Sequence, residues 1–182
     1  MTAETVKAHL LGRDPLCRDV VAIYPMPEDN TIYLLAADFD EASWQADVSA
    51  FRKCCNEYGL TPAVERSRSG NDAHVWFLFS EPVPAADARR MGSSLLTKTM
   101  ARRHELSFSS YDRLFPTQDT VPKGGFGNLI ALPFQGRAQQ NGNTLFVNEQ
   151  FVPYSDQWAF LFSLPKITAR TVIRILSRFR SR

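Results

Sequence analysis

Residues 31–40 read TIYLLAADFD, and the interpretation of the whole chain starts from this stretch. Thr31–Phe39 is almost continuously apolar, which is typical of a strand in the middle of a sheet. Asp38 and Asp40 follow at the end of the apolar run, and side chains two residues apart on a strand point to the same face. The stretch therefore predicts a central strand with two carboxylates side by side at its exit.

The rest of the chain alternates between strand and helix patterns. Further extended segments are predicted at Val20–Tyr24, Ala63–Arg66, Ala73–Phe79, Ser109–Phe115, Asn128–Leu132 and Thr144–Val147. Helices are predicted between the N-cap Ser43 and Gly59, at Ala85–Arg102, and from Trp158 towards the end.

Without its first strand, this order is strand, helix, strand, strand, helix, strand, the split βαβ arrangement of ferredoxin-like and RNA-recognition folds. In that topology the first and third strands lie side by side, and the fourth lies beside the first. The end of Thr31–Asp40, the start of Ala73–Phe79 and the Ser109–Phe115 segment should therefore meet. The predicted fold class is α+β.

The composition indicates one globular domain with a basic end. The chain has 182 residues, of which 44% are hydrophobic and 22% charged, so it can form a core and is not disordered overall. The net charge of +2 says little about nucleic acid. Residues 166–182 contain no acid, and their basic residues are Lys166, Arg170, Arg174, Arg178, Arg180 and Arg182. We predict a domain over residues 1–165 and a basic helical extension over residues 166–182.

The cysteines and the apolar runs indicate the cellular compartment of the protein. The 3 cysteines show no CxxC spacing, which argues against a disulfide framework and against a zinc knuckle. No apolar run reaches the length of a membrane span, and the N-terminus lacks the pattern of a signal peptide. We expect a cytoplasmic protein without a membrane partner.

A second polar stretch, Ser67–His74, reads SRSGNDAH and leads into the strongest strand signal of the chain. Gly70 and its neighbouring amides are suited to approach a phosphate, and the hydroxyls and His74 can donate to phosphate oxygens. The alternative is a polar hairpin loop whose histidine is satisfied in the core. Both interpretations are open at this point.

A third stretch joins SYDRLFP at 110–116 to KGGFGNLIALP at 123–133. Asp112 is the only acid between Glu105 and Asp119. The glycines allow close backbone approach to a ligand, and Lys123 offers a point charge to a phosphate. The alternative is a glycine-rich turn with a solvated lysine.

Together and in this order, three motifs resemble those of the archaeo-eukaryotic primase superfamily: acid-x-acid after apolar residues, small-x-His, and apolar-Asp. Here they correspond to Asp38–Phe39–Asp40, Asp72–Ala73–His74 and Tyr111–Asp112. The strings AADFD, ERSRSG, AHVW, ARRMGSSLLTKTM, SYDRLFPTQD and PKGGFGNLIALP resemble the primase–polymerase branch of the TOTE conflict systems, from about His9 to Phe162. Asp72 departs from the pattern, because the family usually has a small residue there.

The resemblance implies an archaeo-eukaryotic primase fold, with an RRM-like or ferredoxin-like βαββαβ core and flanking strands and helices. It implies a DNA primase–polymerase, a template-dependent nucleotidyltransferase that makes or extends primers by two-metal-ion phosphoryl transfer. Asp38, Asp40 and Asp112 would hold two Mg²⁺ or Mn²⁺ ions. The residues that would bind the phosphates of the incoming nucleotide are His74, Ser69, Arg66 and Lys123.

The implied partners are a single-stranded DNA or RNA template, an NTP or dNTP, and a helicase or other replication module. Template binding needs basic and stacking side chains. The candidates are Arg102, Arg103, Arg113, Arg137 and the C-terminal arginines for the backbone, with Trp76 or Tyr111 for the bases. The alternatives are a core position for Trp76, which lies on an apolar strand, and solvated surface positions for the arginines. A non-catalytic module that binds single strands and a metal-dependent nuclease are the alternative functions.

Overall fold

The computed structural model describes residues 1–40, 43–102, 111–121 and 123–180, and the side chains of Tyr111 and Asp112 are not among the described parts. The helices are α1 (Ala3–Leu11), α2 (Trp44–Glu57), α3 (Ala85–Met100), α4 (Gly136–Gln139), α5 (Gln157–Ser163) and α6 (Ala169–Arg180). The strands are β1 (Ala22–Ile23), β2 (Thr31–Phe39), β3 (Ala63–Arg66), β4 (Ala73–Pro84), β5 (Tyr111–Phe115), β6 (Ile130–Ala131) and β7 (Phe146–Val147). No helix within these ranges is both long and apolar enough to cross a bilayer.

The main sheet has the order β5-β2-β4-β3-β7, and each neighbouring pair is antiparallel. β2 and β4 lie side by side and β5 lies beside β2, as the βαββαβ order predicts. The α+β fold class is therefore confirmed. β7 extends the sheet beyond β3, and β1 pairs with β6 in a separate two-stranded sheet.

Alternation along the central strands gives the sheet two different faces. Leu35, Val75 and Phe77 face α2 and α3 and belong to the main hydrophobic core. Ala36 and Trp76 face the other way and form a second core, which includes side chains from α1, β1, β6 and α5. Asp38 has the parity of Ala36, so it lies on the face opposite α2 and α3.

The C-terminal basic segment packs into the domain. α6 contacts α3 and β4, and its Val172 and Ile175 are buried in the main core. Phe179 stacks on Tyr58 with ring centroids 4.9 Å apart. The predicted basic helix is present as α6, and its apolar side is part of the core.

The helices α1 and α4 were not predicted from the sequence. They contact each other closely. Gly12 ends α1 at a φ of 57°, where a Cβ would lie 2.0 Å from the backbone nitrogen of Arg137. This approach requires a residue without a side chain.

Several predicted boundaries differ from the structure. β4 continues to Pro84 instead of ending at Phe79, and Pro82 lies where its register with β2 is interrupted, so the missing amide is tolerated. The predicted C-terminal helix is divided into α5 and α6 around Pro165, which cannot continue a helix. Ser43 is the N-cap of α2, but its hydroxyl donates to Asp47 instead of capping a backbone amide.

Candidate active site

Ionisable side chains form a row across four strands of the sheet, on the face opposite α2 and α3. Asp38 on β2 is paired with Arg113 on β5 and with His74 on β4. His74 is paired in turn with Glu65 on β3. Directly paired residues have Cβ atoms about 4.5–5.5 Å apart, so cations and acids alternate at contact range along this row. The predicted meeting of the three sequence stretches is confirmed.

A β-bulge lies at the Arg113 end of the row. Asp38 pairs with Arg113, but the next residue, Phe39, pairs with Tyr111, so Asp112 is the additional residue of the bulge. Bulges redirect side chains and are enriched next to active sites. The backbone therefore places Asp112 beside the end of β2, while its side chain lies outside the described part of the structure.

A buried carboxylate holds His74 from the interior. Glu65 is only 1% exposed, and its Oε2 accepts a hydrogen bond from Trp76 Nε1 at 2.8 Å. The same oxygen lies 3.1 Å from His74 Nδ1. A carboxylate at this distance is an acceptor for an Nδ1 proton. The other ring nitrogen, Nε2, faces Asp38 with its Oδ1 at 3.6 Å.

Glu65 was not identified as a site residue from the sequence. The available signal was weak: one acid in a short, otherwise apolar strand candidate, followed by a basic residue and a polar loop. Nothing local shows that its partners are His74 and Trp76, nine and eleven residues away on the neighbouring strand.

The surroundings of His74 favour its charged form. Burial lowers the pKa of His74, but the hydrogen bond to Glu65 and the charges of Glu65, Asp38 and Asp72 outweigh burial and raise that pKa overall. A protonated imidazole is a stronger hydrogen-bond donor to an anionic oxygen than a neutral one.

Asp40 borders an open cleft next to this row, with a volume of about 940 Å³. The cleft is lined by Asp40, Trp44, Gln45, Arg66, Ser69, Gly70, Asn71 and Asp72. Its size lies in the upper part of the range of ligand clefts, about 300–1,000 Å³. A small-molecule ligand of nucleotide size can therefore reach Asp40 and the 67–72 loop together.

The 67–72 loop is closed by internal hydrogen bonds. The amide of Ser67 donates to the carbonyl of Asp72 at 2.9 Å, and Gly70 has a φ of 84°. Ser69 accepts from the amide of Asn71 at 3.0 Å, and its hydroxyl donates to the Asp72 carboxylate. Asp72 therefore lines the cleft and engages its own loop.

The other two predicted phosphate contacts differ in position. Arg66 lines the cleft, where its Nη2 donates to the carbonyl of Phe151 at 3.0 Å. Its buried Nε has no hydrogen-bond partner within the described residues. Lys123 is exposed in the segment between β5 and β6 and is not among the residues that line the cleft. The structure thus brings Asp40, Ser69 and Arg66 together and leaves Lys123 apart.

The donor set fits a hard divalent cation as far as it is described. Asp38 and Asp40 offer carboxylate oxygens, the ligand type that Mg²⁺ and Mn²⁺ prefer. Over residues 1–40, 43–102, 111–121 and 123–180, no group of three or more His, Cys, Asp or Glu is placed to hold a metal ion. Asp112, the third carboxylate expected from the sequence, has its side chain outside that part.

The residues predicted to contact a template agree only partly with the structure. Trp76 is only 3% exposed, so it cannot stack on a nucleic-acid base, and the alternative of a core position is confirmed. Arg102 pairs with Glu57, whereas Arg113 and Arg137 are exposed. Arg103 and the side chain of Tyr111 lie outside the described parts. An exposed aromatic pair occurs instead at Tyr24 and Phe126, with ring centroids 5.2 Å apart.

Comparison with known proteins gives one family. The family model described as the TOTE conflict system, archaeo-eukaryotic primase domain matches residues 1–175. The match includes α1 and half of α6, beyond the His9–Phe162 span that carried the resemblance. No curated protein matches the chain.

Proposed function

We propose that this chain is a DNA primase–polymerase. The chain belongs to the archaeo-eukaryotic primase domain family of TOTE conflict systems, and hence to a primase-like nucleotidyltransferase superfamily. It would synthesise or extend primers on single-stranded DNA or RNA from NTPs or dNTPs. The observation that carries the proposal is the pairing of Asp38 with His74 at one end of the sheet, next to the cleft that Asp40 borders. In the reaction, a 3′-oxygen bonds to the α-phosphorus of the nucleotide and pyrophosphate leaves.

The residues suited to hold two Mg²⁺ or Mn²⁺ ions are Asp38, Asp40 and Asp112. Bound there, the ions would activate the 3′-hydroxyl and neutralise charge on the triphosphate and on the leaving pyrophosphate. The bulge supports the third position, because it places the backbone of Asp112 beside the end of β2. Asn at these positions would keep the shape of the side chain and remove its charge.

The phosphates of the nucleotide would lie over the 67–72 loop and His74. His74 would donate from Nε2, because Glu65 occupies its Nδ1 side. Arg66 and the Ser69 hydroxyl border the same cleft and would contribute charge and a hydrogen bond. Lys123 would have to approach from the segment between β5 and β6, so its contribution is the weakest of the four.

The test is nucleotide incorporation by the purified protein. Single-stranded template, labelled NTPs or dNTPs and Mg²⁺ or Mn²⁺ are incubated with and without an annealed primer. The inactive variant is Asp38→Asn/Asp40→Asn. The matched control, Asp87→Asn/Asp119→Asn, also removes two carboxylates, but these pair with Arg90 and Arg89 on the surface.

We expect products from the wild type and the control, and none from the Asp38→Asn/Asp40→Asn variant. Products without a primer would establish initiation, and extension of a supplied primer alone would establish a polymerase. A folded wild-type protein that binds single strands but makes no product would contradict the proposal and favour the non-catalytic binding module. Metal-dependent shortening of the template instead of synthesis would favour the nuclease.

A further inference from the structure

A second group of cations lies on the side of the sheet that carries α2, α3 and α6. We call it the α6 basic surface and define it by Lys53 of α2, Lys98 of α3, Arg102 just after α3, and Arg170, Arg174 and Arg178 of α6. The Asp38–His74 row occupies the other face of the sheet, so this surface is separate from the candidate active site.

Glu57 shows that three of these cations lie close together. Arg102 forms an ion pair with Glu57. The pKa of Glu57 is lowered, first by the hydrogen bond from Arg102 and then by the charges of Arg102, Lys53 and Lys98. One carboxylate at the end of α2 is therefore paired with Arg102 and also feels the positive charges of Lys53 and Lys98.

The arginines of α6 are held next to the same end of α2. The guanidinium carbon of Arg178 lies 4.6 Å from the ring centroid of Tyr58, the residue after Glu57. Arg174 Nη2 lies 4.0 Å from the position that a Cβ on Gly59 would occupy. Val172 and Ile175 are buried, which fixes the rotation of α6 about its axis, and Arg174 and Arg178 are exposed.

The charge balance of this surface indicates a polyanionic partner. Six cations on this surface accompany two described acids, Glu57 and Glu81, and Glu81 already accepts a hydrogen bond from the amide of Ala169 at 2.9 Å. Arg170, Arg174 and Arg178 follow at four-residue steps, about 6 Å each along the helix and about 12 Å in all. Such a row can contact several phosphates of one nucleic-acid backbone, which carries a charge about every 3.4 Å along each strand. Arginine is also the side chain best suited to phosphate.

A bilayer is a poorer match for this helix. Amphipathic helices bind membranes by inserting their apolar side. The apolar side of α6 is already packed in the main core through Val172 and Ile175, and Ile173 alone among the described apolar side chains of this helix is well exposed.

We propose that the α6 basic surface binds the phosphate backbone of nucleic acid as a sequence-independent contact outside the catalytic face. The choice of nucleic acid as the polyanion rests on the proposed function. Single-stranded template and duplex product share this backbone, and the measurement below separates them.

The test is the salt dependence of binding to labelled single-stranded and duplex oligonucleotides, followed by fluorescence anisotropy between about 50 and 200 mM NaCl. In Arg170→Gln/Arg174→Gln/Arg178→Gln, loss of three phosphate contacts should make the slope of log K against log salt shallower. The expected change is about 2 for a single strand and about 2.7 for a duplex. The strand type with the expected change is the one bound at this surface.

Two matched variants control for fold and total charge. Arg170→Lys/Arg174→Lys/Arg178→Lys keeps the charge and should keep the slope. Lys7→Gln/Arg13→Gln/Arg90→Gln removes the same charge elsewhere and should leave the slope unchanged. If the glutamine variant fails to fold, Lys53→Gln/Lys98→Gln/Arg170→Gln spares the Tyr58 stack and should reduce the slope in the same direction.

An unchanged slope in a folded glutamine variant, or an equal loss in the Lys7/Arg13/Arg90 variant, would overturn the inference. So would binding of an acidic peptide or anionic vesicles by this surface without binding of nucleic acid. The proposed catalytic function is tested separately, because Asp38→Asn/Asp40→Asn should abolish incorporation and leave the salt slope of metal-free binding intact.

Discussion

Glu65→Gln tests the most specific contact in the candidate site, the buried carboxylate behind His74. Glu65 Oε2 accepts from Trp76 Nε1 at 2.8 Å and lies 3.1 Å from His74 Nδ1. Hydrogen bonds to a charged group contribute about 1.5–3 kcal/mol each. Glutamine keeps one acceptor oxygen and loses the charge, so we expect a loss of about 1–3 kcal/mol in the free energy of unfolding.

The effect of Glu65→Gln should depend on pH in a defined direction. The pKa of His74 is raised in the folded protein, so the stability that this shift contributes is fully present below the unfolded pKa, about 6.5. It is lost as the pH rises through the folded pKa. The wild type should therefore exceed Glu65→Gln in stability by more at about pH 6 than at about pH 8.

The assay is urea unfolding of both proteins at these two pH values, with an NMR titration of the His74 ring. Glu65→Gln should lower the NMR midpoint of His74. In a His74→Gln background, the effect of Glu65→Gln on the free energy of unfolding should lose most of its pH dependence. The coupling energy between the two substitutions should be about 0.5–3 kcal/mol. An unchanged His74 midpoint, or a pH dependence that persists without His74, would refute the reasoning.

Three further changes test the close packing, the hydrogen-bond network and the cleft. Gly12→Ala should destabilise the fold by about 2–4 kcal/mol in urea unfolding, because its Cβ would collide with the backbone at Arg137. Gly124→Ala is the control: it also has a positive φ but nothing within 4 Å, so it should lose only about 1 kcal/mol. Trp76→Phe removes the indole hydrogen bond to a buried carboxylate and should cost about 1.5–3 kcal/mol in the same assay, whereas an unchanged midpoint would contradict that bond. Asp72→Asn should lower the KM for the nucleotide about fivefold, because it removes a repulsion of about 1 kcal/mol between the Asp72 carboxylate and the phosphates in the cleft. A higher KM would show that the carboxylate assists binding.

The central part of the fold could be predicted because its residues follow clear local patterns. The apolar run at 31–39 corresponds to β2 at both ends, and the order of strands and helices determines the sheet order β5-β2-β4-β3. α1 carries no comparable pattern, since His9 is its one buried residue. Its position depends on the close contact of Gly12 with α4, which pairs residues more than a hundred positions apart.

The same distinction between local patterns and contacts distant in sequence applies to the candidate site. Asp38 and His74 were predictable as neighbours, because the predicted topology places the end of β2 beside the start of β4. Glu65 was missed, because only the register of β3 with β4 shows what its carboxylate contacts. The burial of Trp76, which excludes base stacking, likewise depends on side chains of the second core that are distant in sequence.

The most direct test of the account is a Mn²⁺ titration in the presence of a non-hydrolysable nucleoside triphosphate, followed by the EPR signal of the free ion. Two bound ions are predicted for the wild type and for Asp87→Asn/Asp119→Asn. Affinity should fall at least about tenfold in Asp38→Asn and in Asp40→Asn, because each loses a charged ligand. Undiminished Mn²⁺ binding in Asp38→Asn/Asp40→Asn would contradict a metal centre at the end of β2, and with it the proposed catalytic mechanism.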